Sequence, residues 1–426
     1  MEIYLICLAV ALVGGLMLSR LTKLINLPAV TAYLVAGLLL GPFCLGAIKL
    51  PGLGFNSLEQ VEGLKIITQT ALGFIAFTIG NEFRLHQLKA FGSKAITIGI
   101  FQAVFTTLLV DAVLIALHFC FPNVISLPTA LVLGAIASAT APAATLMVVR
   151  QYKADGPLTK LLLLVVAIDD AVGLVLFSVS YGIATALSAG QASVLAVVVE
   201  PIVEIVLSLG LGVLIGFLMD LVEQFFHSRS KRLAISVAFV LLAVGLSSIK
   251  FQVGPVHCGF SLLLVCMMTG TAFCNLCDTS EELMGRVDSW TVPLNILFFV
   301  ISGAELDLNV LVQPMTLLIG VIYIIARSAG KYFGADISCR ITKQSPSISS
   351  NLGITLLPQA GVALGMAVTA ATLPGGELTR NVVLFAVLVY ELVGPAMTKR
   401  ALMKAGEIKP EGRTSARKVN EPKQAT

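Results

Sequence analysis

LLLLVVAIDDAVGLVLF, residues 161–177, sets two adjacent carboxylates, Asp169 and Asp170, at the centre of an apolar run of membrane-spanning character. A carboxylate at the middle of such a helix costs roughly 2.5–3.5 kcal/mol on insertion-based scales, so two in one helix point to work done in the membrane rather than to structural support. Successive helical residues point about 100° apart, so one aspartate can face a neighbouring helix while the other faces a cavity. Burial and an adjacent like charge both favour the neutral form of a carboxyl group. Such a group can hold either a proton or a metal cation, and loading one expels the other.

The surrounding chain has the same solvent preference. Of its 426 residues 57% are hydrophobic and 12% charged, against the roughly 25% charged residues of a soluble domain. Thirteen apolar windows recur, near 3–21, 28–46, 64–81, 95–119, 126–149, 159–184, 196–221, 232–249, 257–276, 289–304, 313–336, 351–373 and 380–399. Continuous runs of this length exclude an alternating outer-membrane barrel, because only helices satisfy their own backbone groups within them. The first window has no basic region before it and reads as a retained helix rather than a cleaved signal. An external N-terminus puts most Lys and Arg on the cytoplasmic side and leaves only Lys49, Lys65, Lys250 and Arg380 outside. The net charge of +4 therefore needs no nucleic-acid partner. The eight cysteines are scattered along apolar segments and read as small hydrophobes. Residues 401–426 are rich in Lys, Glu, Pro and Arg and read as a disordered cytoplasmic tail behind a transmembrane domain of residues 1–400.

Thirteen spans divide as six, one and six, which matches helix n to helix n+7 and inverts the second half in the membrane, an arrangement common among secondary transporters. The matched fifth and twelfth spans both carry breakers: Thr140-Ala141-Pro142 in one, Pro358-Gln359-Ala360-Gly361 in the other. Measured from these boundaries, the two breaks lie at unequal distances from their helix starts. Broken helices expose backbone groups that are tolerated at membrane depth only inside protein or beside a water-filled cavity. Free carbonyls and the Thr140 hydroxyl can there replace part of a cation's hydration shell. The sixth and thirteenth spans also correspond, and the thirteenth carries Glu391.

Arg327 and Lys331 are the basic residues of the eleventh span and share a helical face. Arg327 cannot lose its proton and calls for a permanent anionic partner, for which an aspartate of the sixth span is the natural choice. Lys331, closer to the span's end, is read first as snorkelling to the cytoplasmic surface and otherwise, with Arg327, as a charge partner of the aspartates. Asp111, Asn295 and Glu391 are possible accessory residues that brace the bundle or contact the ion. The histidines fall near loops, so Asp or Glu must carry the proton.

Five motifs resemble those of the cation/proton antiporter superfamily: LPAVTAYLVAGLLLGP at 27–42, ATAPA at 139–143, AIDDAVG at 167–173, ARSAGKYFGA at 326–335 and LPQAGVALG at 357–365. They run nearly the length of the chain and are most similar to bacterial sodium/proton antiporters and to the membrane portion of potassium-efflux antiporters. The resemblance implies an all-α membrane protein with inverted repeats and two broken, crossing helices. It implies Asp170 as the main ligand of the transported cation and of the proton, Asp169 as partner of the basic residue in the eleventh span, and Thr140 beside them. It implies core helices near 64–184 and 289–399, and dimerisation helices near 3–46 and 196–276 in a homodimer. Strongly electrogenic relatives carry a lysine whose counterpart here is Arg327 or, against its depth, Lys331, which leaves the proton stoichiometry open.

The expectation is alternating-access exchange of sodium, with potassium or lithium as alternatives, for protons in the bacterial inner membrane, with no cofactor. A sodium-coupled organic anion carrier of the same fold is the rival within transport, and an ion channel or sensor the rival outside it. No cluster of nucleophile, base and orienting group suggests an enzyme.

Overall fold

The computed structural model describes residues 2–22, 29–48, 54–81, 83–122, 124–141, 145, 148–149, 152–189, 199–226, 228–253, 256–277, 279–305 and 314–408. The protein is an all-α membrane bundle. Its elements are α1 (Glu2–Thr22), α2 (Ala29–Leu40), a 3-10 turn (Leu45–Ile48), α3 (Leu58–Glu62), α4 (Lys65–Asn81), α5 (Leu85–Cys120), α6 (Leu127–Ala137), α7 (Pro157–Ser188), α8 (Glu200–Glu223) and α9 (Arg229–Ser247). A short hairpin of β1 (Phe251–Val253) and β2 (Val256–Cys258) leads to α10 (Leu262–Leu276), α11 (Ser280–Ala304), α12 (Pro314–Ile341), α13 (Pro346–Thr355), α14 (Gly361–Ala370) and α15 (Gly376–Lys404). Among the described residues nine helical segments are long and apolar enough to cross a bilayer, and α6, α10 and α14 are shorter apolar helices. With α4, and with α13 joined to α14, they occupy the thirteen windows read from the sequence.

Several helices outrun their apolar windows, because polar residues at the membrane surface continue a helix that the hydrocarbon core does not require. α12 reaches Ile341 and α11 begins at Ser280. The twelfth window begins five residues late at 351, since α13 starts at Pro346 with Pro in its first turn. The two half-helices before the breaks then match, α6 with 11 residues and α13 with 10, so the unequal distances came from the boundary and not from the fold.

The helices pack as two groups. α5, α6, α7, α12, α13, α14 and α15 form one, with α5 lying against α12, α6 and α7. α1, α2, α4, α8, α9, α10 and α11 form the other, with α10 between α8 and α4 and with α11 against α2. By packing, α4 and α11, which the division by residue range puts in the core set, lie chiefly within the second group. Backbone approach explains their placement. A Cβ on Gly80 of α4 would lie 1.8 Å from the Met267 carbonyl oxygen of α10, and one on Gly37 of α2 would lie 1.9 Å from that of Val300 in α11. Helices in lipid associate through such small residues, where no hydrophobic driving force separates protein from solvent. Gly80→Ala is therefore expected to destabilise the protein by roughly 1–3 kcal/mol through overpacking against backbone that cannot yield. A thermal midpoint in detergent equal to the parent's would contradict the close contact.

Residues 401–408, expected in the tail, pack with the bundle instead. α15 continues to Lys404, and the Glu407 carboxylate accepts hydrogen bonds from the N–H groups of Leu158 (2.6 Å) and Thr159 (2.7 Å) and from Thr159 Oγ1 (2.8 Å). An anion at a helix N-terminus satisfies donors that have no partner within the helix. Glu407 thus caps α7, the helix that carries both aspartates. Residues 409–426 lie outside the described residues.

Candidate functional site

The centre of the molecule is where α6 and α13 stop short. A helix ending inside the membrane leaves its last carbonyls without intrahelical donors, and each must find another. At the end of α6 side chains from other elements supply them one after another. Gln359 Nε2 donates to Ile136 O (3.0 Å), Arg327 Nε to Ala137 O (3.0 Å), Lys331 Nζ to Ser138 O, and Arg327 Nη2 to Ala139 O (2.7 Å). At the end of α13, Arg327 Nη1 donates to Leu357 O (2.7 Å). The two extended stretches meet directly where the Ala141 N–H donates to Pro358 O at 2.9 Å. Val30 of α2 packs over Ala141 and Ala360 at this crossing. The expected breaks at Ala141, Pro358, Gln359 and Gly361 thus form one structure, with Gly361 opening α14, and Pro142 lies outside the described residues.

Asp169 and Asp170 come to this point from α7, both buried. Lys331 Nζ lies 2.6 Å from Asp169 Oδ2, and both side chains are fully shielded from solvent. Thr140 Oγ1 also donates to Asp169 Oδ2 and lies 3.2 Å from Leu356 O. With one proton to give, this hydroxyl favours the charged acceptor. Gln102 Nε2 donates to Asp169 Oδ1, so both oxygens of that carboxylate are engaged. Asp170 is within electrostatic reach of Lys331.

Two sequence readings are corrected here. Lys331 does not snorkel, the reading preferred for it; it is buried and pairs with Asp169, in line with its other reading as a charge partner. Arg327 takes three carbonyls rather than an aspartate, and its guanidinium stacks 4.5 Å from the centre of the Tyr390 ring. The physical reason is that helix C-termini carry partial negative charge, about half an elementary charge each. Two such ends supply the anionic counterpart that the sequence sought in a side chain.

The accessory residues make no hydrogen bond to this cluster among the described residues. Asp111 is nine residues along α5 from Gln102, about 13 Å at 1.5 Å per residue, where its carboxylate lies against Gly134 of α6. Glu391 Oε2 accepts from Thr31 of α2 at 3.5 Å, across the seam between the two helix groups. Asp111 Oδ1, Asn295 Oδ1 and Glu391 Oε1 are buried atoms without a hydrogen-bond partner among the described residues. Gln102 escaped the sequence reading altogether. Its signal was a lone amide in IGIFQAVFTTLLVD, where a neutral polar residue costs too little to stand out.

Comparison with known proteins agrees with this architecture. Residues 8–404 match the family described as sodium/hydrogen exchanger, transmembrane. The fold is similar to that of the sodium proton antiporter MjNhaP1 from Methanocaldococcus jannaschii at pH 8, with a TM-score of 0.72 at 19% identity over 93% of this chain and 97% of that one. A second structure of the same antiporter, from electron microscopy, gives 0.66 at 18% identity over 95% and 98%. No curated protein matches the sequence. A multi-pass helical bundle with two broken helices crossing beside a buried acidic pair, matched over nearly its whole length, establishes that the chain belongs to the sodium/hydrogen exchanger family.

Proposed function

We propose that the protein exchanges a monovalent cation, sodium in the first instance, for protons by alternating access at Asp170, with Asp169 held in place by Lys331. Membership of an exchanger family supports cation/proton exchange in general. The observation that carries the assignment within the site is the engagement of both Asp169 oxygens, Oδ1 by Gln102 and Oδ2 by Thr140 and Lys331. A carboxylate so engaged is an anchor, and the resemblance to cation/proton antiporters makes Asp170, buried beside it on α7, the group that trades a cation for a proton. Carbonyl oxygens at the crossing keep a second lone pair after accepting one bond, so they can contribute to a cation's shell as the helices shift.

The distribution of Lys and Arg supports an external N-terminus and a cytoplasmic C-terminus in a bacterial inner membrane. The outward apolar side chains of α1, such as Leu5, Val13 and Met17, suit contact with lipid or with a second copy in a homodimer. Lys331 in the ion pair also bears on stoichiometry. A lysine, unlike Arg327, is able to release its proton, which makes electrogenic exchange available to this chain.

The test is dissipation of a preformed pH gradient by added sodium, lithium or potassium, in everted vesicles and in proteoliposomes. The parent protein is expected to respond to at least one cation, and Asp170→Asn to lose the response while remaining assembled. Full exchange by the variant, or a gradient that no cation disturbs, defeats the proposal. The same assay at imposed membrane potentials separates electrogenic from electroneutral exchange.

A further inference from the structure

We infer that Gln102 is a positioning residue that holds Asp169 and Lys331 together as a charged pair, an assignment that rests on the exchange reading above. Its amide touches both partners at once: Nε2 donates to Asp169 Oδ1, and Oε1 accepts from Lys331 Nζ at 3.1 Å. Chemistry fixes the amide's orientation. Only the NH2 end can donate to a carboxylate, and only the carbonyl end can accept from an ammonium. Nε2 also donates to Gly99 O of the same helix at 3.2 Å, which locks the side chain from behind. Gln102 is completely buried, and Gly334 of α12 allows the close approach, since a Cβ there would lie 3.1 Å from the Gln102 Cα.

This bridge stabilises both charged forms and keeps them in register. A lysine and an aspartate in direct contact inside a protein can also neutralise one another by moving one proton across the gap. The donor that Gln102 gives to the anion and the acceptor it gives to the cation both oppose that transfer. No other described side chain hydrogen-bonds both members. Of the elements packed on α5 here, α7 brings Asp169 and Asp170 and α12 brings Lys331 and Arg327, while α6 and the stretch after it contribute carbonyls and the Thr140 hydroxyl. Changing the amide therefore alters how protons are held in the site without removing any group that titrates.

The experiment compares the parent with Q102M and Q102E in proteoliposomes, recording sodium-driven proton movement across the pH range and the thermal midpoint of each protein. Q102M keeps the volume and removes the hydrogen bonds to Asp169, to Lys331 and to Gly99 O. Its activity profile is expected to be displaced by about one to two pH units, the pH equivalent of one hydrogen bond to a charged group. Q102E keeps an acceptor for Lys331 but sets a carboxylate against Asp169, and is expected to displace the profile further. A displaced profile, or loss of exchange at unchanged thermal midpoint, supports the assignment. An assembled Q102M protein with the parental profile overturns it and leaves the exchange reading intact, whereas a parent that moves no protons with any cation overturns both. If Q102M does not assemble, Q102E carries the same comparison.

Discussion

Asp169→Asn and Lys331→Met are each expected to destabilise the protein by about 3–5 kcal/mol, and the double variant to recover most of that loss. Both side chains are fully buried and 2.6 Å apart. Removing either leaves a buried charge without its direct partner in a low-dielectric interior, and that desolvation exceeds what the pair contributes when intact. Replacing both removes the charges together, and a neutral pair of similar volume is tolerated in other buried sites. The measurement is a double-mutant cycle on thermal stability in detergent, with the coupling energy read as the departure from additivity. Two small, additive effects would mean that the contact is incidental. Transport separates from stability in this cycle. The double variant retains Asp170 but loses the fixed positive charge beside it, so a folded protein with altered cation-to-proton coupling is the expected phenotype.

The depth of Lys331 illustrates what the sequence could reveal and where it stopped. With the eleventh span closed at residue 336, Lys331 lies about 7 Å from its end, close enough to snorkel. The helix runs on to Ile341, which puts the lysine about 15 Å inside. Beyond the boundary, the direction of the side chain was the error, since Lys331 turns into the bundle toward Gln102 and Asp169 and not along the helix to the surface. Asp169 and Asp170 were legible because burying two acids is expensive whatever the fold. The breaks at Thr140 and Pro358 were legible because proline and its neighbours leave a local mark. Their meeting at the bond from Ala141 to Pro358 O was not, since it joins stretches more than two hundred residues apart. Gln102 was hidden for the opposite reason to the aspartates, its presence in a helix being inexpensive. The membership of α4 and α11 in the second helix group depends on backbone approach at Gly80 and Gly37, which a glycine in a sequence does not announce.

Arg327→Met is expected to unfold the crossing itself and to reduce exchange to background. The guanidinium serves Ala137 O, Ala139 O and Leu357 O, one carbonyl from the last turn of α6 and two from the extended stretches beyond the half-helices. A buried carbonyl deprived of its donor costs about 1–3 kcal/mol, and here three lose theirs at once. Charge adds to the count of bonds. Two helix C-termini converge on this point with about half a negative charge each, so together they call for about one positive charge, which Arg327 provides. Arg327→Lys tests whether charge alone suffices. An ammonium is a compact point charge on a flexible stem and cannot present three donors in the fixed plane of a guanidinium, so its stability is expected to fall between those of the parent and Arg327→Met. If Arg327→Lys matched the parent, the charge would account for the residue and the fork geometry would be immaterial. If Arg327→Met melted with the parent, water would have to satisfy those carbonyls, and the crossing would then be a hydrated gap rather than the rigid joint on which the aspartates are held.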